Sequence, residues 1–312
     1  MTHTKKRRYR NSSTFLFHAM LFFPVALLFL YNVLPIPAGI LMAFQNFQPG
    51  KGFFGSEFVG FKNFIRLWRL PDTLPALRNT VVIAVWKIAG NLMVPIVFAL
   101  LLNEIRVKWF KRTVQTITYL PYFLSWVIVA GILIKFLSPG SAASEPGFLN
   151  TVLLNLGLIK EPVYFLGTNA TFQGTIVVSD IWKGFGYNSI VYLAALTGID
   201  PSLYEAAAID GAGRWKQTVH VTLPGIAPFI ALMTILSIGN VLNAGFDQIF
   251  NLYSPAVYAS GDIIDTLVYR MGLVNKQYSL SAAIGLLKSI VSCILVLAGY
   301  RLADRYAGYK VW

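Results

Sequence analysis

Cysteine is all but missing from this sequence: among 312 residues there is only Cys293. No disulfide can close within the chain and no cysteine cluster can bind a metal. Cys293 lies in an apolar run, where the simplest expectation is a small buried hydrophobe. Histidine is nearly as scarce, with His3, His18 and His220 too far apart for any metal-ligand spacing. Charge is scarce as well. Charged residues make up 12% of the chain against 56% hydrophobic, and the mean hydropathy is +0.61. A soluble domain is about one quarter charged, so the composition describes an integral membrane protein. Acidic residues number 13 against 26 basic ones, a net charge of +13. Without a soluble basic domain to carry it, that excess does not describe a nucleic-acid binder. A phosphate-cradling loop is also missing. Gly50 and Lys51 are followed by Gly52 and lack the preceding glycine spacing, so the chain itself offers no ATP cradle.

What is present is a series of apolar runs, each near the ~20 residues a crossing helix needs. The first extends from Phe15 to about Phe44, behind a basic leader (1–14) with Lys5, Lys6, Arg7, Arg8 and Arg10. It is too long for the apolar region of a secretory signal, so an uncleaved span is expected, broken or kinked near Pro35. Further runs lie at Thr80 to Leu102, Val114 to Leu137, Gln173 to Thr197, Pro228 to Phe246 and Leu280 to Leu302. The expected fold is all-α and membrane-embedded, with six transmembrane helices. Lysine and arginine concentrate in the leader, at 106–112, at Arg214 and Lys216, and at Arg301, Arg305 and Lys310, which puts both termini and the 200–228 stretch on the cytoplasmic side.

The first outer loop resists this rule, with Lys51, Lys62, Arg66, Arg69 and Arg78. Phe58, Phe61, Phe64, Ile65 and Trp68 recur there at helical spacing around the charges, which predicts a short amphipathic helix on the outer surface. Outer segments 138–172 and 251–279, the latter with Asp262, Asp265 and Arg270, are candidate docking surfaces or plain connectors.

Between the fourth and fifth runs lies a polar, glycine-punctuated island, Glu205 to Pro228, EAAAIDGAGRWKQTVHVTLPGIAP. Asp200 can cap a first helix and Pro201 suits its first turn; Gly211 to Gly213 break it before a second turn from Arg214 to His220, which Pro224 and Pro228 are expected to end. Glu205, Ala206, Ala207, Asp210, Gly211, Ala212, Leu223 and Pro224 stand at the spacing of the EAA loop, and the chain resembles the permease subunits of bacterial ABC importers. Val221 and Thr218 depart from the usual residues of that pattern. The flanking SDIWKGFGYNSIVYLAALTGIDPSLYEAA is similar to oligosaccharide and polysaccharide importers of the family, the alginate importer's permease among them. The resemblance implies that the island is a two-helix coupling loop docking into an ATPase subunit. It also implies a second permease subunit, two ATPase subunits holding ATP and Mg, an extracytoplasmic solute-binding protein and a bacterial inner-membrane location. No cofactor is expected in this chain, nor catalysis of its own.

Ionisable groups within a membrane are costly and point to a path or a partner. Asp180, Lys183 and Tyr187 follow at i, i+3, i+7; Asn240, Asn243 and Asp247 repeat that spacing; Lys288 shares a face with Ser281 and Ser292. Such stripes can form one wet wall, or Asp180 can pair with Lys183 while the asparagines bond neighbouring helices. Lys87 and Lys135 are expected to snorkel. For Lys288 the expected partner is either Asp247 or an anionic sugar. Amides, charges and the rings of Trp182, Phe185 and Tyr187 suit a saccharide, and the lysines favour an acidic one. Two other classes stay open on the residues alone: an ion-coupled secondary transporter, which would show inverted repeats, and a membrane enzyme, which would need a catalytic cluster.

Overall fold

The computed structural model describes residues 5–141, 144–239 and 241–307, with side chains described from 15 to 301. The basic side chains of the leader, the Arg305 side chain, and residues Asn240 and Lys310 lie outside what is described. The chain divides into two compact units: residues up to Arg69 with Arg270–Leu286, and Leu70–Tyr269 with the stretch from Leu287 onward.

In the first unit an apolar helix covers Phe15–Phe44. Its ladder slips into a π turn at Phe29–Val33, where Leu34 N–H donates to the Phe29 carbonyl, and resumes at Pro35. The break expected near Pro35 is therefore there. A proline has no N–H, and the wider turn ahead of it absorbs the missing bond. A two-residue hairpin pairs Gln45 with Phe58 and Asn46 with Glu57, and the short helix Lys62–Arg69 follows. Asn63 of that helix is buried and donates to the carbonyls of Ala43 and Gln45, both at 2.9 Å. Phe58, Phe61, Ile65 and Trp68 are left exposed. The helix is thus held by Asn63 and Leu67 and turns its aromatic stripe outward, as an interfacial helix requires.

In the second unit Thr73–Glu104 and Asn169–Thr197 run side by side as the central pair. Their N-terminal halves share a core of Ile83, Phe172 and Ile176 with Ala130, Ala244, Ile249 and Val257. Their C-terminal halves pack Ala99, Tyr192, Ala195 and Leu196 against Ile226. Among the described residues four helices are long and apolar enough to cross a membrane: Phe15–Phe44, Thr73–Glu104, Arg214–Ile238 and Tyr278–Arg301. A fifth is reached if Lys108–Phe123 and Trp126–Phe136, bent by 103°, count as one. The expected straight run from Val114 to Leu137 is thus sharply broken. Pro121 sits in a 3-10 turn, Leu124 and Ser125 are extended, and Ser125 restarts the helix by accepting the Ile128 N–H. Asn169–Thr197, with 29 residues, is long enough for a sixth crossing but too polar to pass by composition. Its polar residues are engaged by neighbouring segments.

The fifth apolar run is where sequence and structure part. Pro224 and Pro228 do not end the helix from Arg214; it continues to Ile238. A π turn at Thr218–Thr222 carries the ladder past Pro224, with Leu223 N–H reaching back to the Thr218 carbonyl. Nor does the run extend helically to Phe246. It stops before Gly239, and Phe246–Leu252 is a separate helix begun by Gly245 at φ +95°. Cys293 is exposed rather than buried, on a face that suits lipid.

In the segment 138–172, Asn150 is fully buried in the helix Phe148–Asn155. Its amide donates to the carbonyls of Leu137, Ser138 and Val163 at 3.3, 2.9 and 3.0 Å, and accepts the Val163 N–H at 2.8 Å. Asn150→Leu keeps the volume but orphans these groups. The variant is expected to lose about 2–3 kcal/mol, read as a lower midpoint in thermal unfolding of the detergent-solubilised protein. An unchanged midpoint would show that the loop is not pinned there.

Candidate coupling loop and intramembrane polar sites

The island folds as two helices joined by a tight turn. Asp200 caps Pro201–Ile209, its carboxylate accepting the Ser202 N–H at 2.9 Å. The backbone N–H and then the hydroxyl of Ser202 hold the Asp200 carboxyl below the usual carboxylate range. Because the folded-state value is depressed, the cap's contribution is present at neutral pH and is lost only as pH falls through that lowered value. At the other end Gly211 has φ +76°, and Ala212 and Gly211 donate to the carbonyls of Ala207 and Ala208 at 2.9 and 3.1 Å. This is a Schellman cap, which a β-carbon at position 211 would strain. Gly213 is extended and opens the second helix.

Glu205, Ala206, Asp210 and Gly211 are exposed, and Ala207 and Ala212 are half-buried. Leu203, Ile209 and Trp215 add large exposed apolar surface, with Ile209 at 87%. The island is fastened behind that surface: the Tyr204 hydroxyl meets Thr222 Oγ1 at 3.0 Å, and Arg214 Nη1 donates to Glu104 Oε2 at 2.8 Å. The ion pair is exposed and worth at most about 1 kcal/mol, so it orients the island more than it stabilises it. What results is a small, partly acidic and partly apolar protrusion attached to the C-terminal end of the Thr73–Glu104 helix.

The intramembrane stripes are rearranged relative to expectation. Asp180 pairs with Lys87, not with Lys183, at 3.1 Å. Lys87 does not snorkel. It is 7% exposed, donates to the Ala244 carbonyl at 2.7 Å and also bonds Gln248 Oε1. Gln248 in turn donates to the Ile176 carbonyl and Ser179 Oγ at 2.8 and 2.9 Å, while Asn91 donates to Asp180 Oδ2 at 2.8 Å and accepts from Asn188 at 3.3 Å. This network fixes the broken segment after Ile238 to both central helices. A β-carbon at Gly245 would lie 2.9 Å from Lys87 Nζ, so the left-handed turn and the ammonium occupy one another's only available space.

The same clamp is repeated toward the N-terminal ends of the two central helices. Asn79 donates to the carbonyls of Ala259 and Asp262 at 3.0 and 3.1 Å, and Gln173 donates to Asn79 Oδ1 at 3.2 Å and to the Ser260 carbonyl at 2.8 Å. Residues 251–269 are therefore not a free acidic surface. Asp262 is buried and accepts from the Thr266 hydroxyl at 2.7 Å, and Asp265 pairs with Lys288 at 2.5 Å. That pair replaces both partners expected for Lys288. Asn243 and Asp247 are exposed, but the break at Gly245 separates them, so these two do not share one continuous helical face.

Lys183 and Tyr187 meet the bent span instead. Lys183 Nζ donates to the Tyr122 carbonyl at 2.8 Å and lies 5.2 and 5.3 Å from the ring centres of Tyr122 and Trp126. Tyr187 stacks on Tyr122 with centroids 3.9 Å apart and planes within 6°. The residues the sequence reading missed are Lys87, Asn91, Gln248 and Asn79. A signal for the first was available: Lys87 and Asp180 each stand roughly 25 Å from the C-terminal end of their helix, at ~1.5 Å per residue, so opposite charges fall at one level along the pair.

A membrane-embedded helical scaffold with a protruding two-helix island of EAA spacing defines a permease, and the comparisons agree. Residues 91–307 match the family described as binding-protein-dependent transport system inner membrane component. The chain belongs to that family of ABC importer permeases. It is 41% identical over 268 residues to the polygalacturonan/rhamnogalacturonan transport system permease protein YteP of Bacillus subtilis (strain 168), covering 86% of this chain and 81% of that one. Its fold superposes on a crystal structure of a bacterial ABC transporter importing the acidic polysaccharide alginate, with TM-score 0.85 and 35% identity, covering 96% of this chain and 99% of that one. The same score and identity hold for the bacterial alginate ABC transporter in complex with an alginate pentasaccharide-bound periplasmic protein, covering 98% and 100%. The protein is thus a sugar ABC transporter permease and an inner-membrane component; its relatives are transport subunits rather than enzymes.

Proposed function

We propose that the chain is one of two permease subunits in an importer of acidic oligo- or polysaccharides, working with two ATPase subunits that hold ATP and Mg and with an extracytoplasmic solute-binding protein. In this reading the chain crosses six times, counting Asn169–Thr197 and the bent pair as one each, so that both termini and the island share one side, and the lysine and arginine bias makes that side the cytoplasm. The observation that carries the reading is the island: Glu205, Ala206, Asp210 and Gly211 exposed together on a capped short helix that a glycine turn joins to the long helix from Arg214. The exposed face of such a protrusion suits a cleft in a partner and is left uncovered by its own chain. ATP-driven closure of the ATPases would move the island, and the central helices would carry that motion so that a path opens outward and then inward. The acidic substrate is supported by the relatives, since polygalacturonan and alginate are both uronate polymers.

The test is ATP hydrolysis by the reconstituted importer with its binding protein, run across neutral and acidic oligosaccharides. Stimulation by uronate oligosaccharides is expected; stimulation by neutral sugars alone would remove the acidic assignment. Orientation is tested separately. A cysteine at Ser144 should react with an impermeant thiol reagent added outside intact cells, and one at Gln217 should not. The reverse pattern would invert the topology.

A further inference from the structure

The short helix Lys62–Arg69 carries three stripes, and its own unit uses one of them. Asn63 and Leu67 share the face turned to the protein and are buried, Asn63 holding the carbonyls of Ala43 and Gln45. Phe61, Ile65 and Trp68 follow at i, i+4, i+7 and are 67, 55 and 57% exposed. Phe58, also exposed, extends that stripe, since its ring and that of Phe61 both rest on Phe44. Lys62, Arg66 and Arg69 repeat the same spacing one residue on, about 100° further around the helix, and all three are exposed. Glu57 is the sole acidic residue in the sequence from 45 to 69, and none of the ion pairs among the described residues involves these three cations.

The depth of the helix is set by what it is fastened to. Asn63 ties it to the end of Phe15–Phe44, whose 30 residues measure about 45 Å at ~1.5 Å per residue, close to a bilayer's thickness with its headgroups included. The helix therefore lies at headgroup level. There an apolar stripe reaches the acyl chains, while a basic stripe about a quarter turn away runs along the phosphates. A zwitterionic headgroup brings its own ammonium, whereas an anionic one offers a phosphate that nothing else neutralises, so three cations without carboxylate partners favour the anionic lipid. A protein surface could cover the rings, but it would have to supply carboxylates along the adjacent stripe as well. We propose that Lys62, Arg66 and Arg69 form a binding surface for the phosphates of anionic phospholipids, with Phe58, Phe61, Ile65 and Trp68 set among the acyl chains. Such lipids would also offset the basic residues that this loop carries against the general lysine and arginine bias. The proposal needs the membrane location alone and does not depend on the substrate.

The test reads local lipid composition in the assembled importer. A coumarin amino acid encoded in place of Ile65 reports quenching by nitroxide-bearing lipid, in vesicles of equal parts phosphatidylglycerol and phosphatidylcholine with the nitroxide on the acyl chain of one or the other. Half-quenching is expected at about fivefold lower mole fraction of the labelled phosphatidylglycerol, the effect of one engaged cation. The combined variant Lys62→Gln, Arg66→Gln and Arg69→Gln should make the two lipids equivalent, and Lys62→Arg should retain the preference. A second measurement leaves the three cations in place: raising salt from about 0.05 to 1 M should shrink the preference by screening.

Quenching by neither lipid would show the rings covered by protein, the second permease or the binding protein, and would overturn the proposal. Equal quenching by both would leave an apolar contact without an anionic site and would overturn it too. So would a preference that survives in the combined variant, or one indifferent to salt, because the selecting charges would then lie elsewhere. If the combined variant does not assemble, the salt series with the native cations decides.

Discussion

Replacing Lys87 with Met is expected to cost about 3–5 kcal/mol of stability, more than any other substitution in the membrane-embedded part. The change takes the Lys87 ammonium from Asp180, which keeps the Asn91 amide and has Lys183 one turn away, and it strips Gln248 Oε1 and the Ala244 carbonyl of their donor. Because these groups hold the broken segment after Ile238 in place, that segment should loosen first. Asp180→Asn in the Lys87→Met background should restore part of the loss by removing the unpaired charge. Cysteine accessibility at Ala244, buried in the unmodified protein, gives the local readout and thermal unfolding the global one. Full stability in the single variant would mean that water or another group replaces the ammonium.

Glu205→Lys is expected to leave the protein folded and inserted but to reduce saccharide-stimulated ATP hydrolysis by about a hundredfold. Glu205 has no role in the chain's own packing, and its helix exposes small and apolar residues beside it, so a reversed charge meets only the partner. Gly211→Val should act in the same direction by a different cause. A β-branched residue at φ +76° strains the Schellman cap and swings the second helix away from the first. Normal stimulation in both variants, with confirmed assembly, would separate the island from coupling.

The two-helix island could be read from the sequence because its determinants are local: a capping Asp200, a proline in the first turn, a glycine at the left-handed position. The first apolar helix was legible for the same reason. The fifth run was not, and the cause is specific. Hydropathy reports how long a segment stays apolar, not whether it stays helical, and prolines read as stops were bridged by a π turn that no residue pattern announces. The true stop, before Gly239, lies inside an apolar stretch.

Polar partners were the other failure. Asp180 has Lys183 one turn away, yet its ion pair is with Lys87 on the other central helix. Spacing along one helix reveals shared faces but not which face meets which neighbour. Matching opposite charges by depth would have found Lys87 with Asp180. It could not have found Asp265 with Lys288, because Asp265 lies in a segment whose path depends on the Asn79 and Gln173 clamps.

The most direct measurement is affinity purification of the tagged chain from membranes in mild detergent, followed by assay of what accompanies it. A permease subunit of an ABC importer should bring a second permease chain and ATPase subunits with it, and the complex should hydrolyse ATP faster when saccharide-loaded binding protein is added. A chain that purifies without any ATPase, yet takes up saccharide into vesicles on an ion gradient alone, would contradict that assignment and point to a secondary transporter.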